Sequence, residues 1–391
     1  MSEMFDAVVV GGGPCGATAA RELARQGRSV LLLDRGGRIK PCGGAIPPRL
    51  IEDFGIPDDL LCAKITSARM VAPSAKSVDM PIADGFVGMV NREKFDEWLR
   101  TRAAANGAVR RTGMFKSISH DPDGVAVVHF ESKDSDQEQR VRARVVIGAD
   151  GAKSAVAAQS IKGAKQIPHV FAYHEIVKAP EQDFDGKRCD VYYQGKLSPD
   201  FYGWVFPHGE TVSVGSGSMQ KGFSLRRSVT ALREAAGLAE VKTVRREGAP
   251  IPLRPMRRWD NGRDVLVAGD AAGVVAPASG EGIYYAMEGG RLAGEAAVEF
   301  LATGQVRALR TARKRFMRAH GRVFLILRIM QWFWYSSDKR RERFVTICED
   351  PDVQRLTWDS YMNKRLTRKD PLAHVRIFFK DLAHLLGLVD A

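Results

Sequence analysis

Residues 5–34 read FDAVVVGGGPCGATAARELARQGRSVLLLD, and no other stretch restricts the fold as tightly. Phe5 to Val10 is a short apolar, β-branched run of the buried-strand kind. Gly11, Gly13 and Gly16 follow in G-x-G-x-x-G spacing. Ala17 to Gln26 then has helical composition and ends at Gly27, and RSVLLLD supplies a second strand that closes on Asp34. Strand, glycine turn, helix, strand and acid in this order predict a parallel β-α-β unit that holds a dinucleotide. Gly11 permits the tight turn, Gly13 lets backbone approach a pyrophosphate, and Gly16 allows close helix–strand packing. The helix N-terminus offers free N–H groups to the phosphates, and Asp34 can accept from a ribose. A glycine-rich turn without a ligand is the plainer alternative, and the ordered surroundings of the motif count against it.

Two later segments fit the same sheet. Val145 to Gly151, VVIGADG, is an apolar strand entering a Gly/Asp turn. Residues 264–300 contain another buried strand, VLVAGD, then a small-residue turn and a long helix. Asp270 closes that strand at its C-terminal end, where open α/β sheets bind ligands. Gly280 and Gly282 precede the helix and give a second N-terminus able to face an anion. No second G-x-G-x-x-G follows a strand, so no dedicated nicotinamide domain is expected, and a nicotinamide donor must dock transiently.

Residues 161–261 change character, with more aromatic and β-forming residues and frequent turns. PDFYGWVFPHGETVSVGSG, 199–217, alternates as a strand does. It sets Tyr202, Trp204 and Phe206 on one side and Gly203 and Val205 on the other. Plain sheet core is the simpler explanation of such a row. Upstream, KPCGGAIPPRL at 40–50 holds three prolines, two adjacent glycines and Cys42. Proline disfavours both helix and central strand there, so a stiff, shaped loop is expected.

These motifs resemble those of the single-FAD-domain flavoproteins, which include aromatic hydroxylases and geranylgeranyl reductases. The resemblance rests on GGGPCG at 11–16, ADG at 149–151 and GDAAG at 269–273. Pro199, Tyr202, Trp204, Phe206, Pro207, Val214, Gly215 and Gly217 reproduce the P-x-x-Y-x-W-x-F-P and V-G-x-G pattern of the geranylgeranyl reductases. KPCGGAIP, followed by EDFGIP at 52–57, looks most like their chlorophyll and bacteriochlorophyll branch. The resemblance covers residues 5–300 well and the C-terminal 90 or so less diagnostically.

It implies bound FAD, with Asp270 on the ribityl chain and Gly282 and Ile283 under the isoalloxazine. Arg92 matches an FAD-contacting arginine, with a solvated helix-start arginine as the alternative. Pro14, Cys15, Arg35, Cys42, Gly43, Gly44, Ala45, Asp150 and Gly280 join the implied cofactor contacts. The family usually has Glu where this chain has Asp34, and both are acidic. Cys42 falls in the loop that the family sets against the flavin ring, near the reacting alkene. Tyr202, Trp204 and Phe206 would line an isoprenoid tunnel.

The implied fold is α/β (α+β overall). A Rossmann-like FAD-binding domain takes residues 1–70, 91–160 and 262–305. An antiparallel-sheet substrate domain takes 71–90 and 161–261, and a helical basic region takes 306–391. The implied activity saturates isolated alkenes of a geranylgeranyl chain, three of four, leaving a phytyl chain. The chain would be carried by (bacterio)chlorophyll or a free diphosphate, with NADPH as donor. An isolated alkene is a poor hydride acceptor, so a proton must reach the less substituted carbon with the hydride or just before it. A thiol such as Cys42 is a weak acid for that task, Tyr202 is weaker, and a bound water is an equal candidate. An FAD-dependent aromatic monooxygenase or halogenase is the rival enzyme on the same fold. A non-catalytic isoprenoid or pigment carrier and a basic nucleic-acid-binding protein are the non-enzyme rivals.

Composition bounds these readings. The 391 residues are 45% hydrophobic and 27% charged, which suits a globular chain with two or three cores. The five cysteines are odd in number and irregular in spacing, so neither a disulfide framework nor a zinc site is indicated, and a reducing compartment is expected. MSEMFDAVVV shows neither a basic leader nor an apolar h-region, so no signal peptide is expected. The net charge is +13, and residues 301–391 hold 19 Lys and Arg against 9 Asp and Glu. No nucleic-acid-binding signature accompanies that charge. Arg307, Arg310, Lys314, Arg318 and Arg322 recur every three or four residues, and Val323 to Tyr335 is apolar and aromatic. Such a helix is too short in its apolar part to span a bilayer but suits an anionic membrane surface, peripheral on the cytoplasmic side. A core helix with solvated basic neighbours is the alternative.

Overall fold

The structure, a computed structural model, describes residues 3–37, 39–132 and 138–364. It divides into two compact units. Of the described residues, those within 3–40, 92–169 and 250–325 form the first, and those within 41–91, 170–249 and 326–364 form the second. The sequence reading extends the first unit to residue 70. In the structure the chain leaves that unit after Lys40, because residues 61–65 and 67–71 pair as strands within the second. Of the basic C-terminal region, residues up to 325 cluster with the first unit and those from 326 to 364 with the second, while residues 365–391 lie outside the described ones.

In the first unit, Val109–His120, Val30–Asp34, Met4–Val10, Glu138–Gly148 and Val265–Val267 run parallel in that order. Ala126–Ser132 pairs antiparallel with both Val109–His120 and Glu138–Gly148. Val8, Val9, Leu31, Leu32, Val146 and Ile147 are buried, as expected of strands covered on both faces. The parallel order brings the ends of four strands, Val10, Asp34, Gly148 and Val267, to one edge of the sheet. The turns at 11–16, 149–151 and 269–273 therefore open on that edge. Helix Pro14–Arg25 packs on helix Ile283–Thr303 through small residues, and a Cβ on Gly290 would overlap the Cys15 carbonyl.

The second unit carries a seven-stranded sheet. Its order is Thr243–Pro252, His169–Lys178, Thr211–Ser218, Gly203–His208, Arg188–Tyr192, Ser67–Val71 and Ser77–Pro81. The sheet is not purely antiparallel, because Arg188–Tyr192 pairs parallel with Ser67–Val71. One face is apolar: Val177, Val205, Val212 and Val214 pack with Val229 and Leu232 of helix Leu225–Ala235. Burying each of these side chains contributes about 1.5–3 kcal/mol, which anchors that face as core. The opposite face carries Trp204 and Phe206, as the alternation predicts. A small antiparallel sheet of Ala45–Ile46, Val87–Val90 and Leu61–Ile65 belongs to the same unit.

Candidate functional site

The glycine turn follows the first strand directly. Gly11 adopts a φ of +104°, which favours glycine, and its amide donates to the Leu33 carbonyl at 2.7 Å. A Cβ on Gly16 would overlap the Gly11 carbonyl oxygen, so the helix can start this close only with glycine there. Beyond Gly13, by contrast, a Cβ would meet nothing within 4 Å. Helix Pro14–Arg25 has no side-chain cap and no acid in its first turn. Open space in front of an uncapped helix N-terminus fits a pyrophosphate.

Asp34 holds this turn together. Its carboxylate accepts from the Gly12 amide at 2.7 Å and the Gly36 amide at 2.9 Å. Remaining lone pairs can accept from a ribose. Arg100 lies over the same turn and donates to the Gly12 carbonyl at 3.2 Å. Arg35 beside Asp34 is exposed.

Asp270 is buried and forms an ion pair with Lys40 at 2.5 Å. A Cβ on Gly282 would lie 3.8 Å from the Asp270 carboxylate, so the GDAAG turn and the Gly280–Ile283 turn converge. Asp150 has a different occupation. It accepts from Ser154 Oγ at 2.5 Å and from the Ala155 and Val156 amides at 2.7 and 3.2 Å, capping the short helix Ala155–Ser160. Burial pushes its carboxyl up from the ordinary value, while these donors oppose the shift. Arg92 is not solvated: it is buried, and its guanidinium grips Asp96 through two bonds of 2.8 and 2.7 Å. Cys15 is buried with its sulfur 3.0 Å from where a Cβ on Gly269 would stand, and burial pushes its thiol up. Its geometry is that of a small packing residue.

In the second unit the stiff loop and the aromatic strand meet. A Cβ on Gly43 would lie 3.2 Å from the Phe206 ring, and one on Gly44 would lie 2.5 Å from His208 Nε2. Gly44 has a φ of +72°, and its carbonyl accepts from the Val90 amide at 2.9 Å. The Cys42 sulfur accepts the Gly44 amide at 3.3 Å. Ala45 begins the small sheet through its pairing with Met89. Tyr202, Trp204 and Phe206 form a row with ring centroids 6.0 and 6.3 Å apart. Burial pushes the Tyr202 phenol far up, with smaller contributions from Tyr335 and Cys42. His208 Nδ1 donates to the Phe206 carbonyl at 3.0 Å, and burial pulls its imidazole down to about 4.

Sequence reading missed Lys40, Arg100, Asp96 and His208. Lys40 and His208 directly adjoin motifs that were recognised, which is the signal available for them. Arg100 and Asp96 carried none, since only the helix Arg92–Ala105 brings them to the glycine turn and to Arg92.

A parallel sheet whose carboxyl edge gathers an open glycine turn, a ribose-competent acid and a buried acid at a second helix start defines a flavin-dinucleotide-binding protein. The FAD binding domain family model matches residues 4–321. A geranylgeranyl diphosphate reductase of Rhodobacter capsulatus is 59% identical over 387 residues, covering 98% of each chain. The chloroplastic geranylgeranyl diphosphate reductase of Oryza sativa is 36% identical over 97% of this chain and 85% of its own. Among solved structures, a geranylgeranyl bacteriochlorophyll reductase-like protein of Thermoplasma acidophilum superposes with a TM-score of 0.81 at 22% identity, covering 98% and 99% of the two chains. A flavin-dependent brominase does so at 0.75 and 16%, covering 98% and 100%, which establishes shared fold alone. The chain belongs to the geranylgeranyl reductase family of FAD-binding oxidoreductases.

Proposed function

We propose that this protein reduces isolated double bonds of a geranylgeranyl chain, three of four, on a diphosphate or on (bacterio)chlorophyll, with NADPH as donor. The observation that carries the reading is the meeting of the Pro41–Ala45 loop with Phe206 and His208, in a chain this similar to a geranylgeranyl diphosphate reductase. Two motifs far apart in sequence form one apolar wall with a thiol at its edge.

The residues of the first unit suit FAD. Gly11, Gly13, Pro14 and Gly16 would receive the pyrophosphate, and Asp34, Arg35 and Arg100 the adenosine side. Asp270, Gly280, Gly282 and Ile283 would take the ribityl and ring end. Arg92, gripped by Asp96, and Asp150, tied to the helix Ala155–Ser160, would stand beside the cofactor. When bound, the flavin supplies the hydride. The second unit has to hold an apolar chain, exclude water and manage one proton. Tyr202, Trp204 and Phe206 supply apolar surface. The Tyr202 phenol keeps its proton too firmly to be a good acid. Cys42 is partly exposed and stands at the loop apex, where it either passes the proton or holds the water that does. We further infer that the protein works at an anionic membrane surface, through the exposed stripe of helix Arg310–Trp334.

The decisive test incubates FAD-loaded protein with geranylgeranyl diphosphate or geranylgeranylated bacteriochlorophyll, under NADPH without oxygen, and separates products by mass. Stepwise gain of hydrogen pairs is expected, and dependence on oxygen would overturn the reading. In Cys42→Ser, oxidation of reduced flavin by the alkene should slow more than flavin reduction by NADPH. Stopped-flow absorbance separates the two half-reactions, and an unchanged oxidative half leaves Cys42 a spacer.

A further inference from the structure

From the aromatic wall, Trp204, Ser213, His174 and Glu247 form a hydrogen-bonded row across four neighbouring strands. The Trp204 indole N–H donates to Ser213 Oγ at 3.1 Å. Ser213 Oγ meets His174 Nδ1 at 2.9 Å, and His174 Nε2 meets Glu247 Oε2 at 3.1 Å. Arg245, partly exposed at the sheet's edge, pairs with the other Glu247 oxygen. Ser213 and His174 are buried, at 0% and 3% exposure, in a sheet whose other face is apolar core.

The chemistry of the groups orders the row. A carboxylate only accepts, so His174 Nε2 carries a proton toward Glu247. Neutral imidazole then has Nδ1 bare, and it accepts the Ser213 hydroxyl proton. The Ser213 oxygen is thereby left to accept from the indole. Every donor has one acceptor, and the direction is set at the Glu247 end. Packing agrees with this arrangement. Trp204 pairs with Gly215, where a Cβ would overlap the indole, so the ring lies flat on bare backbone. His174 is the cross-strand partner of Gly215 on the other side.

We propose that Ser213, His174 and Glu247 are positioning residues that lock the Trp204 indole, and that this lock sets how far a substrate chain advances between successive reductions. The proposal rests on the function proposed above. A saturated isoprene unit must move on for the next alkene to react, and a wall of fixed shape defines each stopping point. A loose indole leaves the stops blurred, and partly reduced chains leave early.

The test uses full-length, FAD-loaded protein labelled with 5-fluorotryptophan, with the Trp204 resonance assigned through Trp204→Phe. Ser213→Ala should broaden or shift that fluorine resonance. It should also raise the ratio of partly to fully reduced products from geranylgeranyl diphosphate by about fivefold, the equivalent of one neutral hydrogen bond. Glu247→Gln keeps the volume and removes the charge that orders the row, and it should move both readouts in the same direction. It also carries the test should Ser213→Ala fail to fold. An unchanged Trp204 resonance with an unchanged product ratio in the folded variant overturns the proposal. A wild-type protein that leaves the chain unreduced overturns the proposed function instead, and the fluorine resonance still decides whether the lock exists.

Discussion

Asp270 joins its proposed ligand role to an ion pair with Lys40. Its partner Lys40 is 39% exposed, so removing the carboxylate leaves a cation that water can solvate. The neighbouring turn keeps its backbone bonds, including Gly273 to Asp270 at 3.0 Å. Asp270→Ala should therefore purify folded but largely free of flavin. Absorbance at the flavin bands and thermal melting check both halves, and full flavin occupancy would refute the assignment. His208 makes a different kind of prediction. Its imidazole is held near 4, against 6.5 when unperturbed, chiefly by burial, with smaller effects from His174 and Arg245. Between those values the unfolded chain takes up the proton and the folded chain does not. Stability from this residue is thus complete above about pH 6.5 and falls as pH drops toward 4, by about 2 kcal/mol at pH 5. Urea midpoints at pH 7 and pH 5 should differ more in wild type than in His208→Leu, and equal differences would refute the prediction.

At the scale of elements, helix Arg310–Trp334 presents two different sides. One side is core: Phe316 lies 5.3 Å from Trp259, and Phe324 lies 4.9 Å from Tyr285. The other side exposes Lys314, Arg318, Arg322, Leu325, Ile329 and Trp332, spaced three or four apart and so aligned. Ile329 is 53% exposed and Trp332 74%, an unusual cost for a solvated surface. Among the described residues no helix is long and apolar enough to cross a membrane. Cations beside an aromatic tip suit the headgroup layer, with about 1 kcal/mol per near-surface cation. The protein should float with anionic vesicles at low salt, less at high salt, and little with neutral ones. Trp332→Ser with Ile329→Ser should weaken flotation without loss of fold. Failure to float with either lipid would end the idea.

For the whole molecule, the nucleotide half was legible and the assembly was not. Gly11, Gly13, Gly16 and Asp34 lie within one β-α-β unit, and their turn geometry follows from partners within residues 5–34. The alternation of Tyr202, Trp204 and Phe206 against Val205 is equally local, because successive side chains of a strand face opposite ways. Sequence therefore determined the parallel sheet, the glycine turn, the acid at each strand end and the face of the aromatic row. It did not determine that Lys40 pairs with Asp270, 230 residues away, or that Gly44 faces His208. Nor did it determine that Asp150 serves as a helix cap, that Arg92 is buried on Asp96, or that the chain first leaves the first unit after Lys40. Tertiary structure decided these because they depend on which distant surfaces pack together, and backbone periodicity carries no record of the partner that a side chain meets across a sheet.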